Sequence, residues 1–204
     1  MKLPKSLAGI RLVTAGDGNA LAEIYRPAVV DCPVSFELEP PDGEEMMRRA
    51  MKVLARTPWL VYESDGRVLG YAYGGTHRER AAYQWSVEVS AYVHPDAHRQ
   101  GIARALYTSL FAALVVQGFR NAYAGITLPN EASVKLHTSV AFTHIGVYRG
   151  IGYKLGAWHD VAWFERALGP REASPPPPRP LSECKGEPAF AAALAAGMEQ
   201  LWDR

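Results

Sequence analysis

The chain has 204 residues and a mass of 22.4 kDa, enough for one domain plus an appendage at roughly 150 residues per domain. Hydrophobic residues make up 48% and charged residues 21%, a globular balance that excludes a disordered chain. Lys and Arg number 22 against 21 Asp and Glu, a formal charge of +1, so no basic field draws phosphate backbones or anionic lipid, and neither nucleic acid nor membrane is an expected partner.

Ile10 to Thr14 is expected as a short strand, followed by a helix from Asp17 to Val30 with apolar Leu21, Ile24, Ala28 and Val29 on one side. Pro33 to Pro41 is a loop. Asp42 to Arg56 is a second helix, whose acidic first turn suits the positive end of its dipole. Trp59 to Glu63 and Val68 to Tyr73 flank Ser64-Asp65-Gly66, a hairpin signal. Trp85 to His94 alternates as a strand and runs through Pro95 to Gly101 into a helix that buries Ile102, Leu106, Leu110, Ala113 and Val116 or their neighbours and stops at Gly118. A parallel strand, Ala122 to Thr127, a helix, Asn130 to Val140, and strands at Thr143 to Tyr148 and Trp158 to Glu165 complete the expected set. The fold class is α/β (α+β), one domain with a mixed central sheet flanked by helices.

Six of the 15 prolines lie between Pro170 and Pro180, where Pro175 to Pro178 favours an extended chain. The expected division is therefore a domain at 1–168, a proline-rich linker at 169–187 and an amphipathic helix at 188–204. That helix packs on its own domain, on a second subunit, or on nothing stable. The apolar stretches Ala105 to Val116 and Ala189 to Met198 fall short of the ~20 residues of a membrane span. Met1 to Leu7 lacks the apolar core of a secretory signal, so a cytoplasmic location is expected. Cys32 and Cys184 form no CxxC pair and sit in no His-rich cluster; neither a disulfide nor a metal site is expected.

A strand leading through a glycine-containing turn into a helix gathers free N–H groups and the positive helix end at one spot, an anion site. Here that junction is His98-Arg99-Gln100-Gly101-Ile102-Ala103-Arg104, whose two guanidinium groups suit a diphosphate. No G-x-x-x-x-G-K-[ST] or G-x-G-x-x-G occurs, which demotes ATP and NAD. The junction resembles the coenzyme A segment of the GNAT acetyltransferases, [QR]-x-x-G-x-[GA], with His98 departing at the first position.

From Ile10 to about Leu168 the chain resembles the phosphinothricin and methionine sulfoximine acetyltransferases. The resemblance rests on Pro58-Trp59-Leu60-Val61, Ala82-Tyr83-Gln84-Trp85-Ser86-Val87-Glu88, the Arg99 to Tyr107 block, Gln117-Gly118-Phe119, Leu128 to His137, Gly152-Tyr153-Lys154 and Trp158-His159-Asp160-Val161. It implies an acetyl-CoA-dependent N-acetyltransferase acting on the α-amine of a small amino-acid analogue by direct attack in a ternary complex, and a homodimer. Other amines, such as a peptide N-terminus or an aminoglycoside, and a non-catalytic acyl-CoA-binding module remain as alternatives.

An ammonium must lose a proton before it attacks, and Glu88, on the strand before the cofactor turn, is the expected base. His137 stands seven residues after Asn130, where the wider superfamily carries a tyrosine; as acid to the departing sulfur or as a second base it is the other catalytic candidate. The resemblance implies oxyanion donors from main-chain N–H groups around Tyr92 and Val93, at a bulge where the strand leaves its neighbour. Ala91, Tyr92, Val93, Arg99, Gln100, Gly101, Ile102, Ala103, Arg104, Asn130 and Ser133 are the expected cofactor contacts, and Asn130 is also a helix cap. Phe36, Arg78, Arg80 and Tyr83 are the expected substrate contacts: the arginines and the hydroxyl suit an anionic amino acid, and Phe36 closes the apolar side. Arg78 reads equally well as part of a solvated loop. His159-Asp160, Trp158 and Trp163 read as structural, and Ala141 stands where relatives carry glycine.

Overall fold

The computed structural model describes residues 8–202. The segment 1–7, read above for a signal core, and Asp203 and Arg204 at the end of the expected last helix lie outside the described residues.

Each local signal acts where the physics places it. Asp65 and Gly66, both at positive φ, make the two-residue turn between β2 (Trp59–Ser64) and β3 (Arg67–Thr76). Asp42 opens α2 (Gly43–Leu54) by accepting the N–H of Glu45 at 2.8 Å. Gly118, at φ +99°, stops α3 (Ile102–Gln117). β1 (Ala8–Leu12), α1 (Gly18–Val30), β4 (Ser86–Val93), β5 (Asn121–Thr127), α4 (Glu131–Ser139), β6 (Thr143–Lys154) and β7 (Ala157–Ala167) complete one seven-stranded mixed sheet in the order β1-β2-β3-β4-β5-β7-β6.

Alternation along the strands divides the core between two faces. Leu60, Ala72, Val87 and Val89 pack under α3 with Leu106, Leu110 and Leu114. Trp59, Val61 and Tyr71 pack under α1 and α2 with Leu21, Ile24, Val29 and Met46. The inner strands β2 and β3 are therefore apolar on both sides.

Three expected boundaries are corrected. The strand expected to end at Tyr148 continues to Lys154, with register shifts against β7 at His144/Gly146 and Tyr148/Gly152 that carry the chain past Arg149-Gly150-Ile151. The stretch 169–187 contains a short helix, α5 (Leu181–Cys184). The single helix expected at 188–204 is two, α6 (Pro188–Ala195) and α7 (Glu199–Trp202). Of the packings considered for this tail, the one seen is on its own domain. Phe190, Ala193, Leu181 and Cys184 bury against Ala113 of α3. A Cβ on Gly197 would lie 2.0 Å from the carbonyl oxygen of Ala105; only glycine lets the break between the helices approach α3 so closely. Upstream, Gln117 donates to the carbonyls of Arg56 and Arg179, and Trp85 Nε1 donates to Pro176 O at 2.8 Å. Both cysteines are free thiols. Ala141, at φ +62°, occupies a left-handed position that favours glycine.

Candidate active site

The sheet parts at one place. β4 and β5 are parallel and pair only at Ser86–Asn121, Val87–Ala122 and Glu88–Tyr123. β4 stays paired with β3 as far as Val93, and β5 with β7 as far as Thr127, so a wedge opens beyond Glu88. The N–H of His94 bonds Leu69 O on β3, while Trp85 O accepts from Arg120 and Asn121 on the β5 side. Alternation between these points turns the peptide groups of Val89, Ala91 and Val93 into the wedge. The expected bulge at Tyr92 and Val93 is absent: the β3–β4 register is unbroken from Thr76–Val87 to Gly70–Val93. The strand loses a neighbour without gaining a residue, and the Tyr92 N–H faces β3. Of the two expected donors, Val93 faces the opening, and Ala91 joins it.

Past Val93 the chain makes a 3-10 turn at Pro95–Ala97, and Arg99 and Gly101 then adopt φ of +62° and +84°. No side chain caps α3, so the N–H groups of its first turn lack partners within the helix. They meet the loop amides in an anion-binding concavity. Ile102 is 2% exposed with its side chain in the core. His98 fills its divergent position by donating Nε2–H to Val93 O at 2.9 Å. A groove of about 630 Å³ runs from Ala91 and Val93 along Arg99, Gly101 and Arg104 to Asn130, Ser133 and Ser139.

α4 forms the far wall. Asn130 caps it by accepting the Ser133 N–H at 3.0 Å. His137, 5% exposed, donates Nδ1–H to Ser133 O at 2.8 Å and accepts at Nε2 from the Tyr107 hydroxyl at 3.1 Å, a tautomer assigned from its partners. Burial lowers the His137 pKa, against the pull of the Ser133 carbonyl, and burial raises that of Tyr107. A histidine whose proton affinity is lower folded than unfolded stabilises the fold above pH ~6.5, and that stability is lost as pH falls below it. The melting temperature is accordingly expected to drop on acidification from about pH 6.5, and less steeply in His137→Gln; parallel slopes in a calorimetric pH series would remove His137 from that account.

Glu88 lies on the opposite face of the sheet. Its Oε2 is 3.6 Å from Nδ1 of His77, and burial raises its carboxyl above the usual range, Arg78 opposing. The two expected catalytic side chains are thus not brought together: Glu88 faces His77, His137 faces Tyr107 and Ser133, and the sheet lies between. A cavity of about 70 Å³ in the wedge, lined by Ser90, Tyr92, Tyr107, Asn130, Ser133 and His137, links the sides.

Around Glu88, the His77 ring lies on Tyr123 with centroids 4.5 Å apart and stands nearly perpendicular to the rings of Tyr83 and Trp163. Arg78 and Arg80 are exposed at the rim, and Tyr83 is 43% exposed. Phe36 closes over Gly152, where a Cβ would sit 2.3 Å from its ring. The buried Lys154 ammonium holds this loop by donating to Val29 O and Ser35 O at 2.5 and 2.6 Å.

The sequence reading missed His77, Tyr107, Tyr123 and Trp163. His77 directly precedes Arg78, one of the expected substrate contacts. Trp163, read as structural, pairs with Gly125 beside the wedge, whereas Trp158 is 69% exposed and packs on Tyr153, away from Glu88. Asp160 accepts from Gly150 N–H and Arg149, and His159 from its ring donates to Lys154 O; both serve the β6–β7 hairpin.

A sheet splayed between two parallel strands, with an uncapped helix start at the mouth of the splay, is the arrangement that the match decides. Residues 10–163 match the acetyltransferase (GNAT) domain. The chain belongs to the GNAT acetyltransferase family. A phosphinothricin N-acetyltransferase of Streptomyces viridochromogenes is 39% identical over 172 residues, covering 84% of this chain and 92% of that one. An L-methionine sulfoximine/L-methionine sulfone acetyltransferase of Salmonella typhimurium is 32% identical over 78% of this chain and 94% of its own. The crystal structure of a GNAT superfamily phosphinothricin acetyltransferase from Sinorhizobium meliloti in complex with AcCoA superposes with a TM-score of 0.78 at 34% identity, covering 83% and 92% of the two chains. This GNAT protein is an acetyl-CoA-dependent N-acetyltransferase.

Its own residues fit the cofactor. The groove is polar at the α3 start, where unpartnered amides and two arginines suit a diphosphate, and narrow in the wedge, where free strand amides suit a pantetheine arm. Gly101 carries no Cβ in the left-handed turn that aims those amides outward. Among the described residues no helix is long and apolar enough to cross a membrane, and no cluster of three or more His, Cys, Asp or Glu could hold a metal.

Proposed function

We propose that the protein acetylates the α-amine of a small amino-acid analogue of the phosphinothricin or methionine sulfoximine and sulfone type, by direct attack in a ternary complex. The observation that carries this reading is the place of Glu88: it closes the last rung of the β4–β5 ladder, at the point where the wedge and the aromatic cleft meet.

Acetyl-CoA supplies an acetyl group activated as a thioester. The amides of Arg99 to Arg104, with Gln100 and Gly101 shaping the turn, hold its diphosphate. Asn130 and Ser133 line the pantetheine path, and the Ala91 and Val93 N–H groups, without strand partners, donate to the thioester carbonyl; Tyr92 walls the wedge from the other face. Glu88 takes a proton from the substrate ammonium. His137 acts from the cofactor side by holding the hydroxyl of Tyr107, a residue that lines the wedge; that hydroxyl gives its proton to the departing sulfur and regains one from the second proton the nitrogen sheds. Arg80 and Tyr83 receive the substrate carboxylate, Arg78 adds positive charge at the rim, and Phe36 covers the apolar side.

In this reading the catalytic unit is residues 1–168, the compartment is the cytoplasm, and acetylation of a toxic analogue confers resistance to it. A homodimer is supported by the edge strand β6 and its hairpin, which expose Ile145, Ile151, Tyr153, Leu155 and Trp158, an apolar surface of the kind that marks an interface.

The test is thiol release from acetyl-CoA with phosphinothricin, methionine sulfoximine and methionine sulfone beside spermidine, kanamycin and a short peptide. Saturable release with the first three alone is expected. Release only with another amine would overturn the roles of Arg80 and Tyr83.

A further inference from the structure

A proton taken by Glu88 must leave again before the next turnover. When an ammonium and a thioester become an amide and a thiol, the nitrogen sheds two protons: one ends on sulfur and the other in solvent. Glu88 is half-buried at the floor of an aromatic cleft, and the structure sets one proton acceptor beside it.

That group is His77, the first residue after β3. Its side chain is 13% exposed, with Nδ1 3.6 Å from Glu88 Oε2. This nitrogen is buried and has no hydrogen-bond partner, although buried polar atoms are almost always paired. Among the described residues Nε2 makes no hydrogen bond either, and unlike Nδ1 it is not a buried, unpartnered atom. The ring is held by its stack on Tyr123 and its perpendicular contacts with Tyr83 and Trp163, so Nδ1 stays aimed at the carboxylate. Hydrogen bonds of this kind are often long before substrate binds. Catalysis does not need an unpaired imidazole there for packing alone: a phenyl ring would fill the stack and leave no orphaned nitrogen.

We propose that His77 receives at Nδ1 the proton that Glu88 takes from the substrate ammonium and releases a proton from Nε2 to solvent. The N–H bond of the ammonium breaks as Glu88 gains its O–H. That O–H then breaks as Nδ1–H forms, restoring the carboxylate and leaving an imidazolium, which becomes neutral by losing the proton on Nε2; once the product has left, exchange with water moves the remaining proton from Nδ1 back to Nε2, so that Nδ1 can accept again. No electrons change hands, and one proton leaves per turnover. His77 acts through Glu88 and is a positioning and relay residue. The inference rests on the assignment of Glu88 as base.

The groups that face this pair are consistent with it. Burial, with Arg78 adding to it, keeps His77 neutral near pH 7, and burial holds the Glu88 carboxyl high. The two proton affinities are drawn toward each other, which favours transfer between them. Arg78 from the same loop disfavours a lasting imidazolium. Tyr123 of β5 and Tyr83 of the following turn pack on the ring.

The experiment compares His77→Ala, His77→Gln and Glu88→Gln. Both His77 variants are expected to lose about tenfold in turnover with the KM for acetyl-CoA unchanged. Imidazole added at fixed pH and ionic strength should raise the rate of His77→Ala in proportion to its concentration and leave His77→Gln, whose side chain fills the space, unaffected. In the protein without acetyl-CoA, the His77 ring followed by NMR should titrate at lower pH in Glu88→Gln, because the neighbouring negative charge is gone. Full turnover in both His77 variants, a loss in His77→Ala that imidazole does not relieve, or a titration indifferent to Glu88→Gln would overturn the relay. Full turnover in Glu88→Gln would instead overturn the base assignment itself, and the relay with it. Circular dichroism of both His77 variants separates a lost fold from a lost proton path, and His77→Gln decides the turnover arm if His77→Ala does not fold.

Discussion

Glu88→Gln is expected to bind acetyl-CoA as the wild type does and to turn over about 10²-fold or more slowly. The amide has the size and shape of the carboxylate and can accept a hydrogen bond, but it cannot hold a proton at the pH of the reaction. The fold should not register the change, because the side chain is 39% exposed and its near neighbour, the His77 ring, is not hydrogen-bonded to it. Cofactor affinity should not register it either, because Glu88 projects from the face of β4 opposite α3, while the groove runs along α3 and α4. The pH profile gives a second readout. With its carboxyl held above the ordinary range by burial, wild-type kcat/KM should fall as pH drops through that raised value, and the limb should vanish in Glu88→Gln. Thiol-release kinetics across pH and a calorimetric titration with acetyl-CoA measure both. Turnover within twofold of wild type would strip Glu88 of the role.

The second large effect concerns stability. Phe190→Ala is expected to cost about 3–5 kcal/mol, the range for emptying a buried phenyl site. Phe190 is 1% exposed and packs with Leu181, Cys184, Ala193 and Ala113. The site has little freedom to collapse. Ser109 Oγ donates to Leu194 O at 2.7 Å and accepts the Gly197 N–H at 3.0 Å, and Arg179 pairs with Glu187 at 2.6 Å while its N–H reaches Gln117 O. Both ends of the tail are therefore tied to α3, the helix whose first turn shapes the cofactor groove. Urea unfolding followed by fluorescence and circular dichroism should give a lower midpoint with an unchanged slope. A loss under about 1 kcal/mol would mean that the tail opens independently of the domain.

The tail also shows where the sequence stops being informative. Its alanine-rich run has helical spacing and indicates a helix, but not that Gly197 breaks it. The break exists because the chain must pass within contact of the Ala105 carbonyl, and nothing local to residues 188–204 records that approach. The same holds for β6. Arg149-Gly150-Ile151-Gly152 has turn composition and ended the expected strand at Tyr148, yet pairing with β7 absorbs those residues as irregularities and carries the strand to Lys154. Interstrand hydrogen bonds, distant in sequence, outweighed the local preference.

Local chemistry was enough for the rest of the framework. Asp42, Asp65-Gly66, Gly101 and Gly118 each impose a conformation on their own neighbours through a cap or a positive φ, so helix starts, the hairpin and the helix end were legible one residue at a time. The alternating α and β patterns and the blocks from Trp59 to His137 likewise pointed to the GNAT fold and to Glu88 and His137 as candidates. The faces they occupy were decided by the tertiary structure alone. Side-chain direction on a strand depends on register, and register at β4 is set by β3 on one edge and by the short ladder to β5 on the other. That pairing sends Glu88 toward His77 and away from His137, turns Val93 and Ala91 rather than Tyr92 into the wedge, and brings Trp163 from residues regarded as structural to the edge of His77.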